Sequence, residues 1–121
     1  MRIFKVSWFS RFAAKEGIQD GELRDIVNIV LEAGRADADL GGGVYKVRMA
    51  RPGEGKSGGY RVIVFFRSGE RTFFVYGFEK ANMANISKKQ LKNFRDAAKI
   101  ALSATEKQLN DALKTGKYEE I

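Results

Sequence analysis

The chain has 121 residues, enough for one domain with one core, and 44% of them are hydrophobic, as expected of an ordered globule. It contains no cysteine and no histidine, which excludes disulfides, thiolate metal sites and imidazole catalysis. Lysine and arginine number 22 against 15 acidic residues, a net charge of +7, and such an excess points to an anionic partner, nucleic acid foremost.

The charge is unevenly placed. Residues 1–42 carry six basic and seven acidic side chains, residues 43–85 eight and three, and residues 86–121 eight and five. There is no apolar run of about 18 residues that would span a membrane. The opening MRIFKVSWF lacks a cleavage-site pattern, so a cytoplasmic protein is expected.

Ile3 to Val6 reads as a short strand. Ser7 stands where a helix N-cap would, ahead of an apolar stripe of Trp8, Phe12 and Phe9, with Gly17 as the stop. Asp20 opens a second helix. Leu23, Ile26, Val27, Val30 and Leu31 fall on one of its faces, and Gly34 ends it. Ala36 to Gly43 (ADADLGGG) reads as a loop.

Val44 to Lys80 is the centre of the chain. Three β-branched and aromatic runs, separated by glycine-rich turns, predict three antiparallel strands. After the segment ANMAN, Ser87 with Gln90 has capping-box spacing. Leu91, Phe94, Ala98 and Leu102 then continue a helical face. Thr105 with Gln108 repeats the box, which predicts a break near Ser103–Thr105 and a last helix carrying Leu109 and Leu113, closed by Gly116. The expected fold is α+β: a small antiparallel or mixed sheet between N-terminal helices and a C-terminal helical segment, with residues 1–121 as a single domain.

Ala50 to Ser57 (ARPGEGKS) comes close to a phosphate-binding P-loop, with Ala50 in place of the first glycine. A P-loop needs a helix directly after it, and the residues that follow, Tyr60 to Phe66, have the composition of a strand. Nucleotide hydrolysis is therefore not expected.

The basic strand is the stronger signal. Alternation puts Tyr45, Val47 and Met49 on one face and Lys46 and Arg48 on the other, about 7 Å apart. Arg61 opens the next strand, where pairing would set it beside them. Only Glu54, Glu70 and Glu79 are acidic between residues 43 and 85, so few carboxylates are at hand for these cations. Gly53 to Gly59, with Lys56, could present backbone N–H groups to a phosphate or be a plain turn.

YKVR (Tyr45–Arg48), GKSGGYRVIVFF (Gly55–Phe66), FFVYGFEK (Phe73–Lys80) and NIS (Asn85–Ser87) resemble the RelE/HigB toxins of bacterial type II toxin–antitoxin modules, in the branch with phage-derived relatives. The resemblance implies a RelE-like fold and an endoribonuclease that cuts mRNA in the ribosomal A site, neutralised by a cognate antitoxin of helix-turn-helix type. It sets the family's basic residues on Lys46, Arg48 and Arg61, with Lys80 near a late catalytic arginine. Without histidine, Lys46 or Lys80 would take the 2′-hydroxyl proton, and Arg48 and Arg61 would hold the phosphate. Neither metal nor cofactor is expected. Arg51, Lys56, Ser57, Lys88, Lys89 and Lys92 are candidate RNA- or ribosome-binding residues, with Arg95 and Lys99 on the same helix. The chain departs from RelE in having Lys80-Ala81 and no tyrosine in Asn82–Ser87. A non-cleaving RNA-binding relative and a gyrase-directed, ParE-like toxin are the alternatives.

Overall fold

The computed structural model describes residues 1–50, 59–79 and 86–121. Strand β1 (Arg2–Val6) leads straight into α1 (Ser7–Glu16), and α2 (Asp20–Asp25) runs on as a π-helix over Ile26–Leu31. Strands β2 (Ala38–Gly41), β3 (Val44–Met49), β4 (Tyr60–Arg67) and β5 (Arg71–Glu79) follow, then α3 (Lys88–Leu102), α4 (Glu106–Lys114) and β6 (Tyr118–Glu120). Among the described residues, no helix is long and apolar enough to cross a membrane.

All six strands join one mixed sheet in the order β2-β3-β4-β5-β1-β6. The segment β2 to β5 is an antiparallel meander, β1 adds to β5 in parallel, and β6 closes the far edge antiparallel to β1. The α+β expectation holds, with the sheet of the mixed kind.

Helices cover both faces. On one, Phe9 of α1 and Leu23, Val27 and Leu31 of the second helix pack against Val47, Val62, Val64 and Phe74. On the other, Ala98, Ala101, Leu102 and Leu109 of α3 and α4 pack against Phe4, Val44, Ile63, Phe65 and Phe73. Strand β4 lies between the two layers and is buried from Tyr60 to Phe66. This accounts for an almost unbroken apolar run where a one-sided strand would alternate.

Several local expectations are met. Gly17 caps α1 at φ 74°. Both capping boxes form, with Ser87 Oγ accepting from the Gln90 N–H and Thr105 Oγ1 from the Gln108 N–H, each at 3.1 Å. Others change. Ser7 is the first helical residue and Val6 the cap; the Ser7 N–H donates to the Lys117 carbonyl at 3.1 Å. The Ala36–Gly43 loop contains β2, and the tail past Gly116 forms β6. The second helix widens over Ile26–Leu31, where Glu32 and Arg35 donate to carbonyls five residues back, at 2.9 and 2.8 Å. That stretch, IVNIVL, is rich in β-branched side chains, which crowd a regular α-turn.

Strand β6 is held largely by charge. Arg2 donates to both Glu120 carboxylate oxygens, at 2.8 and 3.0 Å, and also pairs with Glu106. Lys5, 7% exposed, reaches Asp20 and Glu119, each at 2.9 Å. Burial opposes the Lys5 charge, but hydrogen bonds and the charges of these two carboxylates outweigh it, and its pKa is raised.

Candidate nucleic-acid interface

The register of the meander assembles the basic face. Arg48 on β3 stands directly across from Arg61 on β4, and Lys46 across from Ile63. With side chains alternating along β3, Lys46 and Arg48 share a face, so the structure brings Lys46, Arg48 and Arg61 together. Like charges set opposite each other in an antiparallel pair repel. A carboxylate from outside the meander moderates this: Asp37 Oδ2 accepts from Arg48 Nε at 2.9 Å and lies 3.8 Å from Arg61 Nε. Among the described residues, the ion pairs of these two guanidiniums share one carboxylate, that of Asp37.

The two arginines differ in setting. Arg61 is 7% exposed, and its Nη1 donates to the Tyr60 carbonyl at 3.3 Å. The Arg48 side chain is 54% exposed. One cation is thus held within the protein while the other reaches solvent. Burying a guanidinium is costly unless it is paired and hydrogen-bonded, and the 3.8 Å contact with Asp37 is looser than the one Arg48 makes.

Lys46 is half-buried and lines a cavity of about 90 Å³ with Leu40, Ile86 and Leu91. The start of α3 is therefore beside it. Lys88 and Lys89 are exposed in the first turn of that helix, which holds no acidic residue. Cations are disfavoured there, because the helix dipole already presents its positive end. The arrangement suits an anion at the helix start next to Lys46.

The remaining basic residues of α3 divide. Lys92 is exposed but paired with Asp96 at 2.9 Å, and Lys99 is exposed. Arg95 serves the fold: its Nε donates to the Leu40 carbonyl at 2.8 Å, and Nη2 donates to the same oxygen, fastening α3 to β2. Arg51, Lys56, Ser57 and Lys80, and with them the glycine loop and most of the P-loop-like stretch, lie outside the described residues.

Two contributors to this face were not singled out in the sequence. Asp37 lies upstream of residues 43–85, just before β2, whose pairing brings it back to the edge of β3. Tyr76 continues the cross-strand row Lys46–Ile63–Tyr76. It packs against Trp8 and Phe94, with ring centroids 4.6 and 5.9 Å away, and Trp8 is 39% exposed. An aromatic wall therefore bounds the basic face on the β5 side. Among the described residues, no three acidic side chains gather into a group that could hold a metal ion.

A protein-family model described as the RelE toxin of the RelE / RelB toxin-antitoxin system matches residues 1–121. Comparison with curated proteins returns no match.

Proposed function

This chain belongs to the RelE toxin family of toxin–antitoxin systems, and on that premise we propose that it is an mRNA endoribonuclease acting in the ribosomal A site. Residues 1–121 form its single toxin domain, it works in the cytoplasm, and its antitoxin is of helix-turn-helix type. The observation that carries the reading is the opposed pair Arg48–Arg61, which share the Asp37 carboxylate, with Lys46 on the same face. A fold tolerates such self-repulsion where a polyanion occupies the site.

The reaction is attack by a 2′-hydroxyl on the adjacent phosphate. It requires loss of the 2′ proton, relief of charge on the phosphorane and a proton for the departing 5′ oxygen. Arg61, held in place, and Arg48, exposed, stabilise the phosphorane as a planar fork suits phosphate oxygens. Lys46 or Lys80 takes the 2′ proton, and where Lys46 is the base, Lys80 gives a proton to the departing 5′ oxygen. Lys88, Lys89 and Lys92, with Arg51, Lys56 and Ser57, bind the ribosome and the flanking mRNA.

The test is inducible expression of wild type and Arg61→Ala with mapping of mRNA 5′ ends. The reading expects new ends within translated codons for wild type and their loss in the variant. Intact mRNA in both strains would reject it, and a DNA-damage response in place of mRNA cuts would indicate a gyrase-directed toxin.

A further inference from the structure

Strand β1 pairs with β5 only along Arg71–Phe74, so Val75–Glu79 run on past its end. There β5 meets α1 instead. Tyr76 and Gly77 point to opposite faces of the strand, and α1 touches both. The Phe12 ring fills the space that a Cβ on Gly77 would need, and Trp8 lies against Tyr76, with ring centroids 4.6 Å apart. Trp8 is also stacked on Phe12, at 5.4 Å and with the planes 13° apart. The indole is thus fixed by two rings, yet it is 39% exposed.

Two features set it apart from an ordinary core aromatic. Among the described residues, neither the Trp8 Nε1–H nor the Tyr76 hydroxyl has a hydrogen-bond partner, although tryptophan and tyrosine usually find one where they are buried. The helix surface beside Trp8 is also basic. Arg11 and Lys15 follow it at i+3 and i+7, on the same side of α1, and both are exposed. Among the described residues neither is in an ion pair. Glu16, the only acidic residue of α1, is engaged elsewhere, accepting from the Tyr60 hydroxyl at 2.5 Å.

The aromatic pair is continuous with the basic face. Tyr76 ends the cross-strand row Lys46–Ile63–Tyr76, and the next row on that face is Arg48–Arg61–Phe78. A single strand leaving Arg61 on the β5 side passes Tyr76 and Trp8 and then has Arg11 and Lys15 beside it. Aromatic rings along a cationic track are how proteins hold single-stranded nucleic acid.

We propose that Trp8, backed by Phe12 and Tyr76, is the platform for the nucleobase of an RNA nucleotide flanking the scissile phosphate, with Arg11 and Lys15 holding the phosphates beyond it. The base packs against the indole in the offset or edge-to-face manner of aromatic pairs, so the contact tolerates any base. The platform presupposes the RNA substrate proposed for the basic face. It positions the strand and takes no part in proton transfer.

The experiment measures binding without cleavage. One probe is a fluorescein-labelled octamer of 2′-O-methyl adenylate, which has no free 2′-hydroxyl to attack with. The other is the same octamer with its four central nucleotides replaced by abasic spacers. Anisotropy at low salt gives Kd values for wild type, Trp8→Ala, Trp8→Tyr and Arg11→Glu, and circular dichroism verifies that each variant is folded. Wild type should bind the adenylate octamer about tenfold or more tighter than the abasic one. Emission from Trp8, the only tryptophan in the chain, should be quenched by unlabelled adenylate octamer and not by its abasic counterpart. Trp8→Ala should bring the two Kd values together, Trp8→Tyr should keep most of the gap, and Arg11→Glu should weaken both probes alike. Equal Kd values for the two probes with wild type, a gap that survives Trp8→Ala, or no binding of either probe overturns the proposal. Should it fail while Arg61→Ala still abolishes new mRNA ends, the platform falls and the ribonuclease reading stands; intact mRNA with wild type strikes that reading itself.

Discussion

Arg48 and Arg61 face each other across β3 and β4, and both turn to the carboxylate of Asp37, at 2.9 and 3.8 Å. Replacing that carboxylate by an amide removes its charge and leaves the cations to repel. Asp37→Asn is expected to cost about 1.5 kcal/mol in low salt, the low end for hydrogen bonds to charged groups, since the Arg48 side chain is half exposed. Sulfate or phosphate should restore more of the loss than chloride at equal ionic strength, because an oxyanion can take the vacated place. Thermal melts in the three salts check this; equal restoration by all three would show that screening alone is at work.

Arg61→Lys separates charge from geometry. Arg61 is almost fully buried, and its fork is fixed by the Tyr60 carbonyl. A lysine keeps the charge but loses the planar donor set. Cleavage should fall at least about tenfold, equivalent to 1.4 kcal/mol in the transition state. Single-turnover rates with wild type and Arg61→Lys, at saturating ribosomes, give the comparison.

Gly77 on β5 makes a prediction about the fold alone. A Cβ built there would come within 2.4 Å of Phe12 Cε2. Gly77→Ala should therefore destabilise by about 1–3 kcal/mol through overpacking. Adding Phe12→Leu, which removes the ring, should make the alanine less costly than it is beside Phe12. A urea double-mutant cycle measures the coupling.

The clasp on β6 sets an acid limb. The hydrogen bond from Arg2, together with its charge, holds the Glu120 pKa below its ordinary value of 4.5, against an opposing contribution from burial. A depressed folded pKa stabilises the protein above the unfolded value, and that stabilisation is lost as pH falls through the folded one. Glu120→Gln should thus cost up to about 1 kcal/mol at neutral pH, as for an exposed pair. The cost should shrink below about pH 4.5 as wild type loses the same interaction. Lys5 has the opposite sign: its pKa is raised, so its contribution is lost only at alkaline pH, above its ordinary 10.5. Stability curves from pH 3 to 11 test both limbs.

What the sequence made legible was whatever depends on local pattern. The capping boxes at Ser87 and Thr105, the glycine stop at Gly17 and the β3–β5 meander all follow from spacing, and alternation put Lys46 and Arg48 on one face. What it hid depends on partners distant in the chain. Strand β6 is three residues long and polar, and it exists because Arg2 and Lys5 offer cations to Glu120 and Glu119. Strand β2 sits among glycines and is joined to β3 across a tight turn. Asp37 was invisible as a partner for Arg61, 24 positions later in the sequence. The helical periodicity around Ile26 correctly marked the buried face but carried no sign that the turn would widen.

The most direct test of the central claim uses ribosomes programmed with a defined mRNA and an empty A site, mixed with the purified chain. One mRNA is all-ribose, and the other carries a single 2′-deoxy nucleotide at the position cut. A scissile phosphate gripped by Lys46, Arg48 and Arg61 and attacked by its neighbouring 2′-hydroxyl predicts cleavage of the first mRNA, resistance of the second, and loss of cutting of at least about a hundredfold with Arg61→Ala. Cleavage of the deoxy-substituted mRNA at the same position, or equal cleavage by Arg61→Ala, would contradict it.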